Sequence, residues 1–311
     1  MSRNLRPMIQ SAQDSTAAPL FSLVIAVYDD WAPLDRCLKS LAAQTAPPSF
    51  EVIVVDDGSK EAAPQSFSSS HYGCSLTVIR QPHAGIPTAR NRGIRLSKGT
   101  VLLFVDADCR LDTNCLANLA STISRSPLHD CFQLRLVGNS SSLVGRAEDL
   151  RLTTFQSLML QPDDRIRYLN TAGFAIRRTR LGIGTDVFNP VALRAEDTLL
   201  LANLMQLGEL PLFVPDAVVE HAIPLSLMAC FRKDIRSVYL ERRAYDIIES
   251  KGVRIRVTHR ERLQLLWSMW KAAGQDSIGR SAWLVVVVRQ AFQRMISFGY
   301  QCLRPRFAAQ I

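Results

Sequence analysis

Carboxylates stand where this chain should be most apolar. The run VLLFVDADCR (101–110) places Asp106 and Asp108 directly after five apolar residues, with only Ala107 between them. Carboxylates at i and i+2 on a strand end can hold a divalent cation on one group while the other meets a neighbouring hydroxyl. Oxygen ligands of this kind suit Mg²⁺ or Mn²⁺, cations that commonly share their coordination shell with substrate phosphates. A cation also accounts for charge at such a position, because an unpaired buried carboxylate costs several kcal/mol. Taken alone, three residues fit equally well a solvated turn with two incidental acids. A second run, FEVIVVDDGS (50–59), repeats the arrangement with Asp56 and Asp57 ahead of a Gly58-Ser59 turn.

These acids need a scaffold that brings strand ends together, and the flanking sequence supplies one. FSLVIAVY (21–28), FEVIVVD, LTVIRQ and TVLLFVDAD read as strands; WAPLDRCLKSLAAQ and IPTARNRGIRLSKG, the latter closed by Gly99, read as helices. Strands that alternate with helices and are continuously apolar indicate an α/β fold with a mainly parallel sheet covered on both faces. The carboxyl ends of such strands face the ligand crevice. Asp56, Asp57, Asp106 and Asp108 all fall there. Beyond residue 112 the spacing predicts helices over LANLASTIS, GRAEDLRLTTFQSLMLQ and RAEDTLLLANLMQLG. It predicts strands over CFQLRLVG and YLNTAGFAIRRTRLG, and a strand pair broken by Pro215 in LPLFVPDAVVEH. From 223 the chain becomes helical, basic and aromatic.

Length and charge set outer bounds. The 311 residues, 47% of them hydrophobic and 21% charged, suffice for one large α/β domain and an appendage. The formal charge is +9, and residues 223–311 alone hold sixteen Lys and Arg against six Asp and Glu, which points to an anionic partner for that segment. Seven cysteines without CxxC spacing support neither a zinc ribbon nor a disulfide framework and fit a reducing, cytoplasmic compartment. Residues 1–19 read as a polar, disordered leader, and no uncharged apolar stretch approaches the roughly 20 residues of a membrane span.

Taken together, FSLVIAVYDD, VDDGS (55–59), ARNRGI (89–94) and VDAD (105–108) closely resemble the motifs of family 2 glycosyltransferases of the GT-A fold, over residues 21 to about 221. The resemblance implies a GT-A catalytic domain at 20–222, a Rossmann-like mixed sheet flanked by helices, followed by a basic helical region at 223–311. It implies an inverting transfer of a sugar from a nucleotide-diphosphate donor, a UDP-sugar by preference, to a hydroxyl acceptor, carbohydrate or lipid-linked, in bacterial polysaccharide or glycolipid synthesis. Residue by residue, Tyr28 and Asp57 correspond to contacts with the nucleotide base, Arg90 lies beside the diphosphate, Asp106 near the ribose and Asp108 on a Mn²⁺ or Mg²⁺ ion. RAEDTLLLANLMQLG resembles the family's ED segment, which makes Asp197 the general base and Glu196 its partner; alone, both acids would simply complement a helix dipole. His221 corresponds to a histidine that completes the metal shell in several GT-A enzymes, against the commoner structural role of a lone histidine. The family's paired glycines are reduced here to Gly173.

Two other classes compete. A Mg²⁺-dependent nucleotidyltransferase would show a glycine-rich loop, yet VIAVYDDWAPL holds no glycine; a non-catalytic sugar-nucleotide binder would be expected to lose Asp108 or Asp197 first. Nucleic acid is not expected, for lack of aromatic stacking strands or a zinc site. The basic C-terminal region is either a helical cap with a solvated face or a peripheral docking element for an anionic membrane at its inner face, with Trp267, Trp270, Trp283 and Phe292 set among arginines.

Overall fold

The computed structural model describes residues 18–138, 142–181, 186–221, 226–274 and 277–307. Nearly all of the expected leader lies outside them. The chain runs β1 (Phe21–Val27), α1 (Trp31–Ala42), β2 (Phe50–Asp56), α2 (Ser69–Tyr72), β3 (Ser75–Arg80), α3 (Ile86–Leu96), β4 (Val101–Phe104) and β5 (Cys109–Leu111). It continues through α4 (Cys115–Arg125), β6 (Cys131–Gly138), α5 (Leu143–Met159), β7 (Phe174–Arg177), α6 (Glu196–Gln206), β8 (Leu212–His221), α7 (Leu227–Ser250), α8 (His259–Ala272) and α9 (Ser277–Phe307).

One mixed, mainly parallel sheet joins the strands in the order β3-β2-β1-β4-β7-β6-β8-β5. The β3, β2, β1 and β4 strands are mutually parallel, β7 runs antiparallel to both neighbours, and β6 and β8 are parallel. Continuous apolarity has the expected cause: β1 is buried on both faces. Phe21, Leu23, Ile25 and Val27 point toward Leu34, Cys37, Leu38 and Leu41 of α1. Val24 points the other way, into a cluster with Ile94, Phe104, Phe174, Phe188 and α6. Helix α3 can lie this close because residue 93 is glycine; a Cβ there would stand 2.4 Å from Val24 Cγ1.

Three expectations are corrected. The strand before the DAD triplet ends at Phe104, so Asp106 and Asp108 sit in the turn between β4 and β5 rather than on a strand tip. LPLFVPDAVVEH is one strand, not a pair; the β6–β8 register jumps from Leu134↔Val214 to Arg135↔Val218, so Pro215, Asp216 and Ala217 loop out without breaking it. A bulge of this kind accommodates proline, which has no N–H to give the ladder. YLNTAGFAIRRTRLG holds only the four-residue β7 between two single 3₁₀ turns.

The C-terminal helices pack on the rest of the chain. Leu265 and Met269 of α8 and Ala282 and Val286 of α9 meet Ala147 and Leu150 of α5, while Ala244 and Ile248 of α7 meet Leu199 and Ala202 of α6. A buried ionic cluster adds to this: the Arg289 guanidinium donates to Asp234 of α7 at 2.9 Å and also to Glu148 of α5. Among the described residues no helix is long and apolar enough to cross a membrane.

Candidate active site

Strands β1 and β2 end side by side, and their last residues start the site. Asp57 is 3% exposed. Its Oδ1 accepts from Gln81 Nε2 at 2.7 Å and from Ala84 N at 2.9 Å, and its Oδ2 accepts from Gly85 N at 2.8 Å. The carboxylate is thus fixed by the loop that follows β3. Gly58 makes this possible: its φ is +82°, and a Cβ there would lie 2.7 Å from His83 N. The His83 ring stands against Tyr28 with centroids 4.7 Å apart, which leaves the half-exposed tyrosine face beside Asp57.

A second assembly joins three distant segments. Arg90, on α3, is 2% exposed. Its Nη2 donates to Asp106 Oδ1 at 2.7 Å and its Nη1 to Glu196 Oε1 at 2.6 Å. Burial alone would lower the arginine's pKa, but the Asp106 and Glu196 charges overcome it and the net shift is upward. Its Nε, also buried, has no partner, and its guanidinium carbon lies 5.4 Å from the Phe188 ring centroid. Next to Glu196, at the start of α6, Asp197 is pushed up to about 7, first by burial and then by the Glu196 charge, while Thr198 and Arg90 pull the other way. A carboxyl poised there can take a proton near neutral pH. The residue before this pair, Ala195, holds a left-handed φ of 57°, and Asp29, at the mouth of β1, one of 58°. Non-glycine residues in that region cost on the order of 1 kcal/mol each and gather at functional sites.

The third group faces the other side of the DAD turn. Because β5 pairs antiparallel with β8, Cys109 lies opposite His221, and His221 Nε2 comes to 3.4 Å from Asp108 Oδ1. Burial, the strongest influence on Asp108, raises its pKa, yet the bond and charge of His221 bring it below the usual carboxylate range. His221 is correspondingly held above its usual value by Asp108 in spite of its own burial. Ligating atoms of Asp108, Cys109 and His221 all lie within 4.8 Å of one another. The Cys109 thiol is pushed far up by burial and by Asp106 and Asp108, and soft sulfur is a poor donor to hard cations, which leaves one carboxylate and one imidazole. That donor set fits Mn²⁺ or Mg²⁺, with open positions for phosphate oxygens and water.

All eight residues singled out in the sequence fall into these three groups: Tyr28 with Asp57, Arg90 with Asp106, Glu196 and Asp197, and Asp108 with His221. Arg90 differs from its expected surroundings. Both of its terminal nitrogens are committed to carboxylates, so it is the tie between the DAD turn and α6. Sequence reasoning missed two charged neighbours. Asp30 is raised by partial burial and then by Asp108 and Asp29, adding negative charge beside the DAD turn. Lys233, on α7, is lowered by burial and then by Arg194, and feels the charge of Asp108. Asp30 stood in the quoted DD pair, whereas Lys233 was one of many basic residues in its segment and carried no separate signal.

Residues 22–182 match the family described as Glycosyl transferase family 2. Curated relatives include Glycosyltransferase AglE of Haloferax volcanii, 37% identical over 115 residues that make up 35% of this chain and 37% of that protein. Another is the PGL/p-HBAD biosynthesis glycosyltransferase of Mycobacterium bovis, 37% identical over 110 residues, 34% of this chain and 43% of that protein. The chain thus spans about two fifths of the length of these relatives. Among solved structures, the mannosyltransferase PcManGT from Pyrobaculum calidifontis in complex with GDP-Man and Mn²⁺ aligns with a TM-score of 0.62 at 17% identity, covering 91% of this chain and 87% of that one. S. aureus TarS 1-349 in complex with UDP aligns with a TM-score of 0.54 at 19% identity, over 90% and 91%. The sheet and its flanking helices are therefore those of the GT-A glycosyltransferases, and the chain belongs to glycosyl transferase family 2.

Proposed function

We propose that this protein transfers a sugar, with inversion, from a nucleotide-diphosphate donor to a hydroxyl acceptor. Asp57 and Tyr28 receive the nucleotide base, uracil by preference, and Asp106 lies by the ribose. Asp108 and His221 hold Mn²⁺ or Mg²⁺, which when bound neutralises charge on the departing diphosphate. Lys233, itself within the field of Arg194, adds positive charge near Asp108. Asp197 takes the acceptor's proton as its oxygen attacks the anomeric carbon from the face away from the leaving group, and Glu196 keeps the Asp197 carboxyl near its working pKa. Arg90 acts by position, holding Asp106 and Glu196 at a fixed separation. The acceptor is a carbohydrate or a lipid-linked sugar of a bacterial envelope polysaccharide or glycolipid.

The observation that supports this reading is the ionic tie Asp106–Arg90–Glu196, which joins the DAD turn to the start of α6 beside Asp197, whose carboxyl is pushed up to about 7. The test is thermal unfolding with UDP, GDP and TDP and their sugars, each with and without Mn²⁺, repeated on Asp108→Ala. A nucleotide at a hundred times its Kd should stabilise the wild type by about 2.7 kcal/mol. The stabilisation should depend on metal and vanish in the variant. A folded protein stabilised by none of these ligands would overturn the reading.

A further inference from the structure

Helix α9 has two unlike faces. Inward, Gly279, Ala282 and Val286 are buried against α5 and α8, and Arg289 is tied to Glu148 and Asp234. Outward, Leu284, Val288, Ala291, Met295 and Phe298 follow one another at intervals of four, three, four and three residues, so they form one stripe. All are exposed, Met295 by 64% and Phe298 by 69%. Side chains of this size left in water on a single helix face mark a surface that meets something apolar.

Charge identifies what it meets. The sequence of α9 holds five arginines and no acidic residue, and Arg280 and Arg294 are exposed on the helix that carries the stripe. The four-three spacing also suits a helix–helix seam, but a second copy would set this acid-free, arginine-bearing helix against itself with no carboxylate to answer the charge. An anionic lipid surface answers both features: headgroups meet the arginines and the acyl boundary takes the stripe, as for a helix lying in the interface plane. The aromatic residues expected to do this are mostly occupied elsewhere. Trp270 and Trp283 pack on each other with ring centroids 4.9 Å apart, Trp283 Nε1 donates to Leu266 O, and Phe292 packs on Phe231 at 4.9 Å.

We propose that the outward face of α9 docks this protein on an anionic membrane, through an aliphatic stripe flanked by arginine. The docking is independent of sugar transfer and holds even if the protein binds no nucleotide. The test is flotation of the full chain with phosphatidylcholine vesicles, with and without phosphatidylglycerol, for the wild type, the double variant Val288→Asp/Met295→Asp and Arg294→Glu. Both sets of positions are exposed, and unchanged circular dichroism will verify that the variants are folded. The wild type should float only with the anionic vesicles. The apolar variant should lose at least about tenfold in partitioning, and Arg294→Glu should lose several-fold, more at low than at high salt. Failure of the wild type to float would overturn the proposal, as would equal flotation of all three proteins. Light scattering that finds a dimer converted to monomer by Val288→Asp/Met295→Asp would also overturn it, by assigning the stripe to a second copy.

Discussion

Replacing Glu196 by Gln removes one negative charge beside Asp197 while keeping a side-chain oxygen that Arg90 can still bond. The Asp197 carboxyl stands at about 7, raised first by burial and second by Glu196. Burial survives the substitution, so only the second contribution is lost, and the freed Arg90 charge pulls the same way. A nearby charge shifts a carboxyl by about one unit or more, so the variant's Asp197 should titrate near pH 6. A general base works ionised, so the acid limb of the kcat/KM profile should move down by that unit. At pH 6 a base of pKa 7 is about one-eleventh ionised and one of pKa 6 is half ionised, a gain of about fivefold in working enzyme; at pH 8 the two forms should differ little. Arg90→Met should move the limb the opposite way and also raise KM for the donor, because Asp106 loses its partner. The assay is nucleotide-diphosphate release across pH 5–9 at saturating Mn²⁺. An acid limb that stays put in Glu196→Gln, or moves up, would refute both the assignment of Asp197 and the electrostatic coupling.

Asp197→Asn should abolish transfer yet stabilise the fold. A carboxyl raised in the native state holds a proton that the unfolded chain releases, so the penalty grows as pH rises from about 4 through 7, and removing it at pH 8 should gain on the order of 2 kcal/mol, read as a higher Tm. Mn²⁺ affinity should strengthen as pH rises from 6 to 8, because His221, raised by Asp108, must lose its proton to ligate; His221→Ala should weaken the metal and flatten that dependence, as calorimetric titration would show. Arg289→Met should cost about 3–5 kcal/mol in urea unfolding, since it removes the arginine partner of buried Asp234 and one of the two arginines paired with buried Glu148, which keeps only Arg151. Glu148 is held down at about 2 by Arg151 and Arg289 against the pull of burial, so that stabilisation is complete above about pH 4.5 and fades as the pH falls from there toward 2, and the variant should lose the Arg289 share of it.

Much of this was legible because it is local. The β1, β2, β3 and α3 segments declare themselves by continuous apolarity and by helical spacing, and VDDGS carries its own turn. Arg90 shows where locality ends. Its neighbours Ala89, Asn91 and Gly93 mark α3 as a close-packed helix, but the carboxylates that make its burial tolerable lie 16 and 106 residues away and only the folded chain brings them in. The same holds for β8. Proline in an apolar run signals a break, and only the β6 ladder, which resumes after three looped-out residues, makes the run one strand. Trp270 and Trp283 stand in a basic segment whose composition fits a packed cap as well as a membrane-facing element, and their contact with each other, α8 on α9, has no local signal.

The β5–β8 pairing has a consequence for the order in which the protein assembles. Asp108 and His221 are brought together by a three-residue ladder that joins strands more than a hundred residues apart. Contacts so distant in sequence bear a large loop-closure entropy and form late. The Tyr28–Asp57 corner, built within residues 21–85, can be complete while the Asp108–His221 pair is still open. A chain emerging from the ribosome would therefore hold the corner proposed for the base before the pair proposed for the metal, and would gain both only once β8 has been made and laid beside β6.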